Sequence, residues 1–313
     1  MAVESEEFTE LGDEFALLEQ TAAEAGGSSG GLPKVRRAWV NVPAGGHVSG
    51  VFWGDGQPQV VFLHDIGESA RAWDAVALTV GIPSVAIDLP GHGRSDWRRD
   101  GRYEPARLAS AVAEAIRSFA PRARLVVGSG LGGRTALALG RRQRRLLPGL
   151  ALVGTLPGQA PGPAPGWPGP ESFASRADAL SALAARRPER SAQSVRREVL
   201  YELVEDPDGS WAWRHHPGNL PSALLGGDAG ADDPGAADEP LWAELGQLGA
   251  SAALIRGEQA ARLPAADIAR LRDLAPDVRV ISIPGGTDVV ATHPAALAAA
   301  LDQLLTTTPR EPQ

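Results

Sequence analysis

The sequence contains no cysteine. Disulfides, thiolate nucleophiles and cysteine-ligated zinc or iron–sulfur centres are therefore excluded. Lysine is nearly absent as well: Lys34 stands alone, and every other basic residue is arginine. No apolar run reaches the roughly 18 residues that a transmembrane helix requires. There is no excess of positive charge either. The formal net charge is −8, which argues against nucleic acid or an anionic membrane as the main partner. The opening MAVESEEFTELGDEF is acidic and lacks the apolar segment of a secretory signal, so a soluble, cytoplasmic protein is expected. What is present suits a folded chain. With 313 residues, 43% hydrophobic and 22% charged, it can bury one large α/β domain or a domain carrying an insertion.

Residues 5–25 read as a helix, with Phe8, Leu11, Phe15 and Leu18 sharing a face. A Gly/Ser break at 26–31 follows, so residues 1–34 form an extension on a tether. The helix either packs on its own domain or serves as a docking or dimerisation arm. Either way, residues 1–30 are expected to be dispensable for folding.

From Val35 onward the pattern is that of strands. Arg37–Val42 and Val48–Trp53 suggest a hairpin around Pro43-Ala44-Gly45-Gly46. Short apolar runs at Gln59–Leu63, Ser84–Ile87, Arg124–Val127 and Leu150–Val153 alternate with helical stretches near 69–80, 105–119 and 133–145. That alternation implies a mostly parallel sheet with helices on both faces. It stops at Gly158–Pro170, a Pro/Gly-rich stretch. Helical patterns near 172–187 and 189–205, Trp211-Ala212-Trp213 and an acidic loop around Asp232-Asp233 come next. Strand patterns return at Ala252–Ile255 and Val278–Ile283, and a helix closes the chain at 294–305. The expected organisation is a core at 35–157 and 249–313 interrupted by a mainly helical cap at 158–248. Such a cap lies over the strand C-termini, where parallel sheets place ligands.

Three stretches carry a resemblance: Gln59-Val60-Val61-Phe62-Leu63-His64, Asp88-Leu89-Pro90-Gly91-His92-Gly93-Arg94-Ser95-Asp96-Trp97 and Asp208-Gly209-Ser210-Trp211-Ala212-Trp213-Arg214. With Gly128-Ser129-Gly130-Leu131-Gly132-Gly133 after a strand, the order over residues 35–308 resembles the α/β-hydrolase fold, in its small, capped, esterase-like form. That resemblance implies a nucleophile in a tight strand-to-helix turn flanked by glycines two residues away. An apex at Ser129 would put Val127 and Leu131 in the flanks, which are too bulky. An apex at 130 puts Gly128 and Gly132 there, but the residue is Gly130. The resemblance also implies an acid at Ala260, or near Gly154, and a histidine at Asp288. By this reading Gly130, Ala260 and Asp288 form a degenerate triad, and a serine–histidine–aspartate relay cannot run.

The same resemblance implies an oxyanion hole from the backbone N–H of Leu131 and a second donor, Ile66. Asp288 is the candidate general base, with His64 and Glu258 behind it. Asp65, Ser129, Trp167, Trp211 and Trp213 are candidate pocket residues. His92 reads as structural, and His215 and His216 as cap-surface residues. The expected protein is a pseudo-hydrolase: a non-hydrolytic cyclase, lyase or isomerase acting on a small, apolar, carbonyl-bearing intermediate of polyketide-like metabolism. It needs no cofactor or metal. The alternative is a catalytically silent binder or scaffold. A third reading takes GSGLGG as a dinucleotide fingerprint, but no acidic residue follows the next strand to hold a ribose.

Overall fold

In the computed structural model, which describes residues 13–26, 31–43, 45–158, 172–216, 238–260 and 263–307, the chain is organised around an eight-stranded sheet. The strands in chain order are β1 (Val35–Asn41), β2 (His47–Trp53), β3 (Val60–Leu63), β4 (Ser84–Ile87), β5 (Leu125–Ser129) and β6 (Leu150–Val153). Next come β7 (Ser172–Phe173), β8 (Leu203–Glu205) and β9 (Trp211–Trp213), followed by β10 (Ala252–Gly257) and β11 (Arg279–Ile283). The main sheet runs β1-β2-β4-β3-β5-β6-β10-β11. β1 and β2 form the expected hairpin, with Val40 opposite Val48. β2 meets β4 antiparallel, and every pairing from β4 to β11 is parallel.

β3, β4, β5 and β6 are buried at every position, which is why they read as continuous apolar runs. Alternate side chains enter different cores. Val61 and Leu63 pack with Ile116 of the helix Pro105–Phe119 and Leu137 of the helix Gly130–Gln143. Val60 and Phe62 face Trp73, Val76 and Leu301, on the side of the helices Asp74–Val80 and Pro294–Thr307. Pro105 opens its helix at the first turn, where a missing N–H costs nothing, and Leu108, Val112, Ile116 and Phe119 bury at helical spacing.

The inserted part has a core of its own. Leu183 from the helix Arg176–Arg186 and Val195 and Val199 from the helix Ala192–Glu202 pack with Phe173, Leu203 and Trp213. Ser175 and Ser191 cap the two helices by accepting from the N–H of Asp178 and Ser194. β7, β9 and β8 form a three-stranded antiparallel sheet beside them. The described part of the cap is thus mainly helical, with a small sheet beside its helices. The Pro/Gly stretch with Trp167 and the loop around Asp232 fall outside the described residues.

Among the described residues of the N-terminal extension the helix runs Leu18–Glu24, and Leu18 is only 1% exposed. Glu14 pairs with Arg37 and Arg94, Phe15 lies under the Arg71 guanidinium, and Glu24 pairs with Arg197 of the cap. The segment therefore rests on its own core and cap; Phe8 and Leu11 lie outside the described residues. Among the described residues, no helix is long and apolar enough to cross a membrane.

Candidate active site

The turn between β5 and its helix is set by backbone contacts. Gly130 is the first helical residue and has φ of +45°, in the left-handed region that favours glycine. A Cβ on Gly128 would meet the backbone of Gly133, and one on Gly132 would run into the Leu63 carbonyl. These close approaches put position 130 at the apex.

The apex is not empty. A Cβ on Gly130 would collide with the carboxylate of Asp65, from the turn after β3. Asp65 Oδ1 accepts hydrogen bonds from the N–H groups of Ile66 and Leu131, each 2.7 Å long. Two amides named from the sequence therefore converge on one oxygen. Leu131 sits at the N-terminus of a 14-residue helix, whose dipole adds to the attraction for negative charge. Asp65 stands where a reaction's oxyanion would stand.

The other sequence candidates separate. His64 is fully buried; its Nε2 accepts from the Leu89 N–H at 3.0 Å, and its Nδ1 lies 2.6 Å from the Asp65 carbonyl. Both ring nitrogens are engaged, and burial lowers the pKa, so His64 is a neutral clamp between two loops rather than a base. Asp288 is also corrected. Its carboxylate pairs with Arg190 and accepts from the Ala291 N–H at 3.4 Å. Arg190 reaches down from the cap and also binds Glu198 at 2.8 Å and Glu68 at 3.1 Å. Burial works against the Arg190 charge, but Asp288, Glu198 and Glu68 outweigh it and raise its pKa. The Asp288 carboxylate is committed to this ion pair between core and cap.

Ala260 is buried with its N–H on Gly257, Gly154 makes a turn at φ of +63°, and Glu258 is exposed. Ser129 is buried at the end of β5, and its Oγ has no hydrogen-bond partner among the described residues. Trp213 is 4% exposed in the cap core, against Phe173 and His215, and Trp211 lies under Arg176. Both tryptophans serve cap packing. His92 is buried with its ring centre 5.0 Å from that of His64. His215 is also buried, not on the cap surface, and burial pulls its pKa down to about 3. His216 packs between Trp97 and Tyr103.

Sequence reasoning missed Glu68 and Arg190. Glu68 follows Asp65 by three residues and accepts from the Asp65 N–H at 3.3 Å. Burial pushes its carboxyl up to about 7, with Asp288 and Asp65 adding to the rise and Arg190 opposing it. Arg190 is one of many arginines, and nothing local marks it. Among the described residues, no group of three or more histidine or acidic side chains is placed to hold a metal ion.

A parallel sheet, an inserted cap, a strand–glycine–helix elbow and paired amides beside it define a capped α/β-hydrolase architecture. A model of the alpha/beta hydrolase family matches residues 60–300, and the chain belongs to that family. The chain is 34% identical over 297 residues to the esterase Rv0045c of Mycobacterium tuberculosis, covering 91% of this chain and 93% of that one. A crystal structure of that esterase superposes with a TM-score of 0.77 at 33% identity, covering 96% of this chain and all (100%) of the other. A pimeloyl-[acyl-carrier protein] methyl ester esterase of Sodalis glossinidius is 33% identical over 112 residues, 34% of this chain and 41% of its own length.

These similarities make the chain an enzyme of a hydrolase family and correct the functional expectation. Similarity to an esterase along nine-tenths of the chain overturns the non-hydrolytic cyclase, lyase or isomerase. It equally overturns the silent scaffold, the dinucleotide-binding reading and the description as a pseudo-hydrolase with a degenerate triad. That expectation gave all its weight to three positions, 130, 260 and 288. The chemistry has to be sought in the groups that do converge on the elbow.

Proposed function

We propose that the chain is a carboxylic-ester hydrolase that works by direct attack of water, with Asp65 as the general base. The observation that carries this reading is the convergence of the Ile66 and Leu131 N–H groups on one carboxylate oxygen. A substrate carbonyl oxygen takes those two donors from Asp65. The carboxylate, still tethered on the neighbouring turn, then accepts a proton from water. The water oxygen bonds to the carbonyl carbon, and the π electrons move to the oxygen held by the two amides. Each such donor is worth about 2.7–4 kcal/mol to an acyl-transfer transition state. Gly130 carries no side chain, so the space is free for the carbonyl group once the Asp65 carboxylate moves off the two amides. The esterase named among the relatives supports the choice of an ester over other hydrolysable bonds.

The test is turnover of a panel of short-chain esters, with Asp65→Asn beside the wild type. Removing a general base lowers kcat by about 10²-fold or more. Hydrolysis in ¹⁸O-labelled water should put label into the acid product and none into the protein. A fluorophosphonate adduct on Ser129 would replace this mechanism by a serine one, and failure to hydrolyse any ester would sink the esterase reading itself.

A further inference from the structure

His64 stands one residue before the carboxylate that fills the oxyanion site, and the reaction above gives it no part. Its ring is fully buried, with its centre 5.0 Å from that of His92. The Leu89 N–H donates to Nε2 at 3.0 Å, so that nitrogen carries no proton. The proton of the neutral ring is therefore on Nδ1, which lies 2.6 Å from the Asp65 carbonyl oxygen and donates to it. A second donor to that carbonyl, the Glu68 N–H, is longer at 3.3 Å.

The Asp65 carbonyl and the Ile66 N–H are the two ends of one peptide unit. In a planar trans peptide they point in opposite directions and cannot turn independently. A ring that holds the C=O end therefore fixes where the N–H end points. That N–H meets Asp65 Oδ1 at 2.7 Å, the same oxygen that takes the Leu131 N–H at 2.7 Å. A hydrogen bond on the carbonyl also polarises the amide and makes its N–H a stronger donor.

We propose that His64 is the positioning residue of the oxyanion site: through the Asp65–Ile66 peptide it aims and strengthens the Ile66 N–H for the substrate's carbonyl oxygen. This rests on the hydrolase reading and deepens it by naming what holds one of the two donors. The Leu131 N–H needs no such support, because the helix Gly130–Gln143 sets its direction. The Ile66 N–H lies in the turn after β3, outside regular structure. When the Asp65 carboxylate moves off the two amides, Ile66 loses its partner. The imidazole at the other end of the peptide then keeps the unit from turning with the side chain.

Two substitutions separate the two ring nitrogens. His64→Gln puts an amide oxygen near the place of Nε2, where it accepts from Leu89, and leaves the Asp65 carbonyl without its short donor. His64→Asn puts an amide nitrogen near the place of Nδ1 and gives up the Leu89 bond. In His64→Gln, kcat for a short-chain ester should fall about 10-fold or more, toward the 10²–10³-fold that loss of a whole oxyanion donor costs. Its KM should stay within about twofold, because the interaction is made in the transition state. In His64→Asn, kcat should stay within about threefold of the wild type. Its thermal midpoint should nevertheless fall further than that of His64→Gln, because the buried Leu89 N–H is left unpaired. A merely structural histidine gives the reverse order, with activity following stability. Independently of turnover, the amide ¹⁵N resonance of Ile66 should move upfield in His64→Gln while that of Leu131 stays. Should His64→Asn not fold, the kcat–KM split and the Ile66 resonance in His64→Gln carry the test. An unchanged kcat in His64→Gln, equal losses in both variants, or an Ile66 resonance that does not move would overturn the role. A wild type that hydrolyses no ester would sink the esterase reading, and the Ile66 resonance would still decide whether His64 aims the N–H. Full turnover by Asp65→Asn beside a loss in His64→Gln would remove the base and keep the positioning residue.

Discussion

The Asp65 carboxylate occupies the volume that any side chain on Gly130 would need. The two positions lie on different loops, the turn after β3 and the elbow after β5, yet they compete for one space. Gly130→Ser should therefore destabilise the fold twice, through the clash and through a φ of +45° that costs a non-glycine residue about 1–2 kcal/mol. In an Asp65→Gly background the clash is gone and only the backbone cost remains. A double-mutant cycle on unfolding free energy should show a coupling of about 0.5–3 kcal/mol, the range for residues in contact. Strictly additive losses would mean that the two residues do not share the space.

Arg190 makes a second test. It is the shared cation of Glu68, Glu198 and Asp288, and its side chain is 7% exposed. Arg190→Met leaves three mostly buried carboxylates facing one another without it. Breaking a buried pair by removing one partner costs about 3–5 kcal/mol, and denaturant unfolding should show a loss of that order. Asp288→Asn should cost far less, because Arg190 keeps its other two partners. The same variant bears on mechanism. If Asp288 only anchors Arg190, its turnover should stay within about threefold of the wild type, against the 10²-fold expected for loss of a base. A hundredfold fall would return Asp288 to the role of base.

The core was legible for a physical reason. β3, β4, β5 and β6 are covered on both faces, so each is a continuous apolar run that ends in a polar or glycine turn. The elbow register was legible because glycines at 128 and 132 are demanded by backbone contacts that sequence sterics anticipate. The filling of the hole was not. Asp65 was visible as a candidate pocket residue, but whether its side chain points outward or folds back onto two amides is decided by geometry between loops. His64 misled because a histidine at the end of a strand looks the same whether it awaits a substrate or holds the Leu89 N–H. The helix Ala265–Leu274 escaped because only Ile268 and Leu271 are buried on it, too thin a pattern to stand out. Function was misread because an absent serine was equated with absent hydrolysis. Ester cleavage by water requires an oxyanion site and proton carriers, and neither has to come from a serine triad.

The N-terminal segment gives a third prediction, opposite to the one its Gly/Ser break suggests. Leu18 is buried, and Glu14, Phe15 and Glu24 each engage an arginine of the core or cap. Leu18 alone accounts for about 1.5–3 kcal/mol of burial. A chain starting at Gly31 should lose several degrees of thermal midpoint, at about 2–4 °C per kcal/mol for a domain of 150–250 residues. The loss should shrink with added salt, which screens the partly exposed Glu24–Arg197 pair. An unchanged midpoint would show that the contacts of residues 13–26 contribute nothing to stability.

Glu202 gives the last prediction, on stability against pH. It is 4% exposed beside the turn after β3, with one oxygen on the Ser69 hydroxyl and the other without a partner among the described residues. Burial pushes its carboxyl up to about 8 from a reference of 4.5, while the Ser69 hydrogen bond opposes the rise. The sign follows from proton counting. Between those two values the folded chain holds a proton that the unfolded chain has released, so raising the pH favours the unfolded state. The contribution is fully present below about 4.5 and is lost as pH rises through about 8. Glu68, pushed up to about 7, and Asp74, pushed up to about 6 by burial against the pull of Arg71, act in the same direction. The wild-type thermal midpoint should therefore fall between pH 5 and pH 9 by more than exposed groups alone would cause. Glu202→Gln keeps the shape and an acceptor for Ser69 but carries no titrating proton. It should match the wild type near pH 5, exceed it by several degrees near pH 9, and show a flatter profile between. A variant whose midpoint runs parallel to the wild type over that range would mean that Glu202 titrates as an ordinary surface carboxylate.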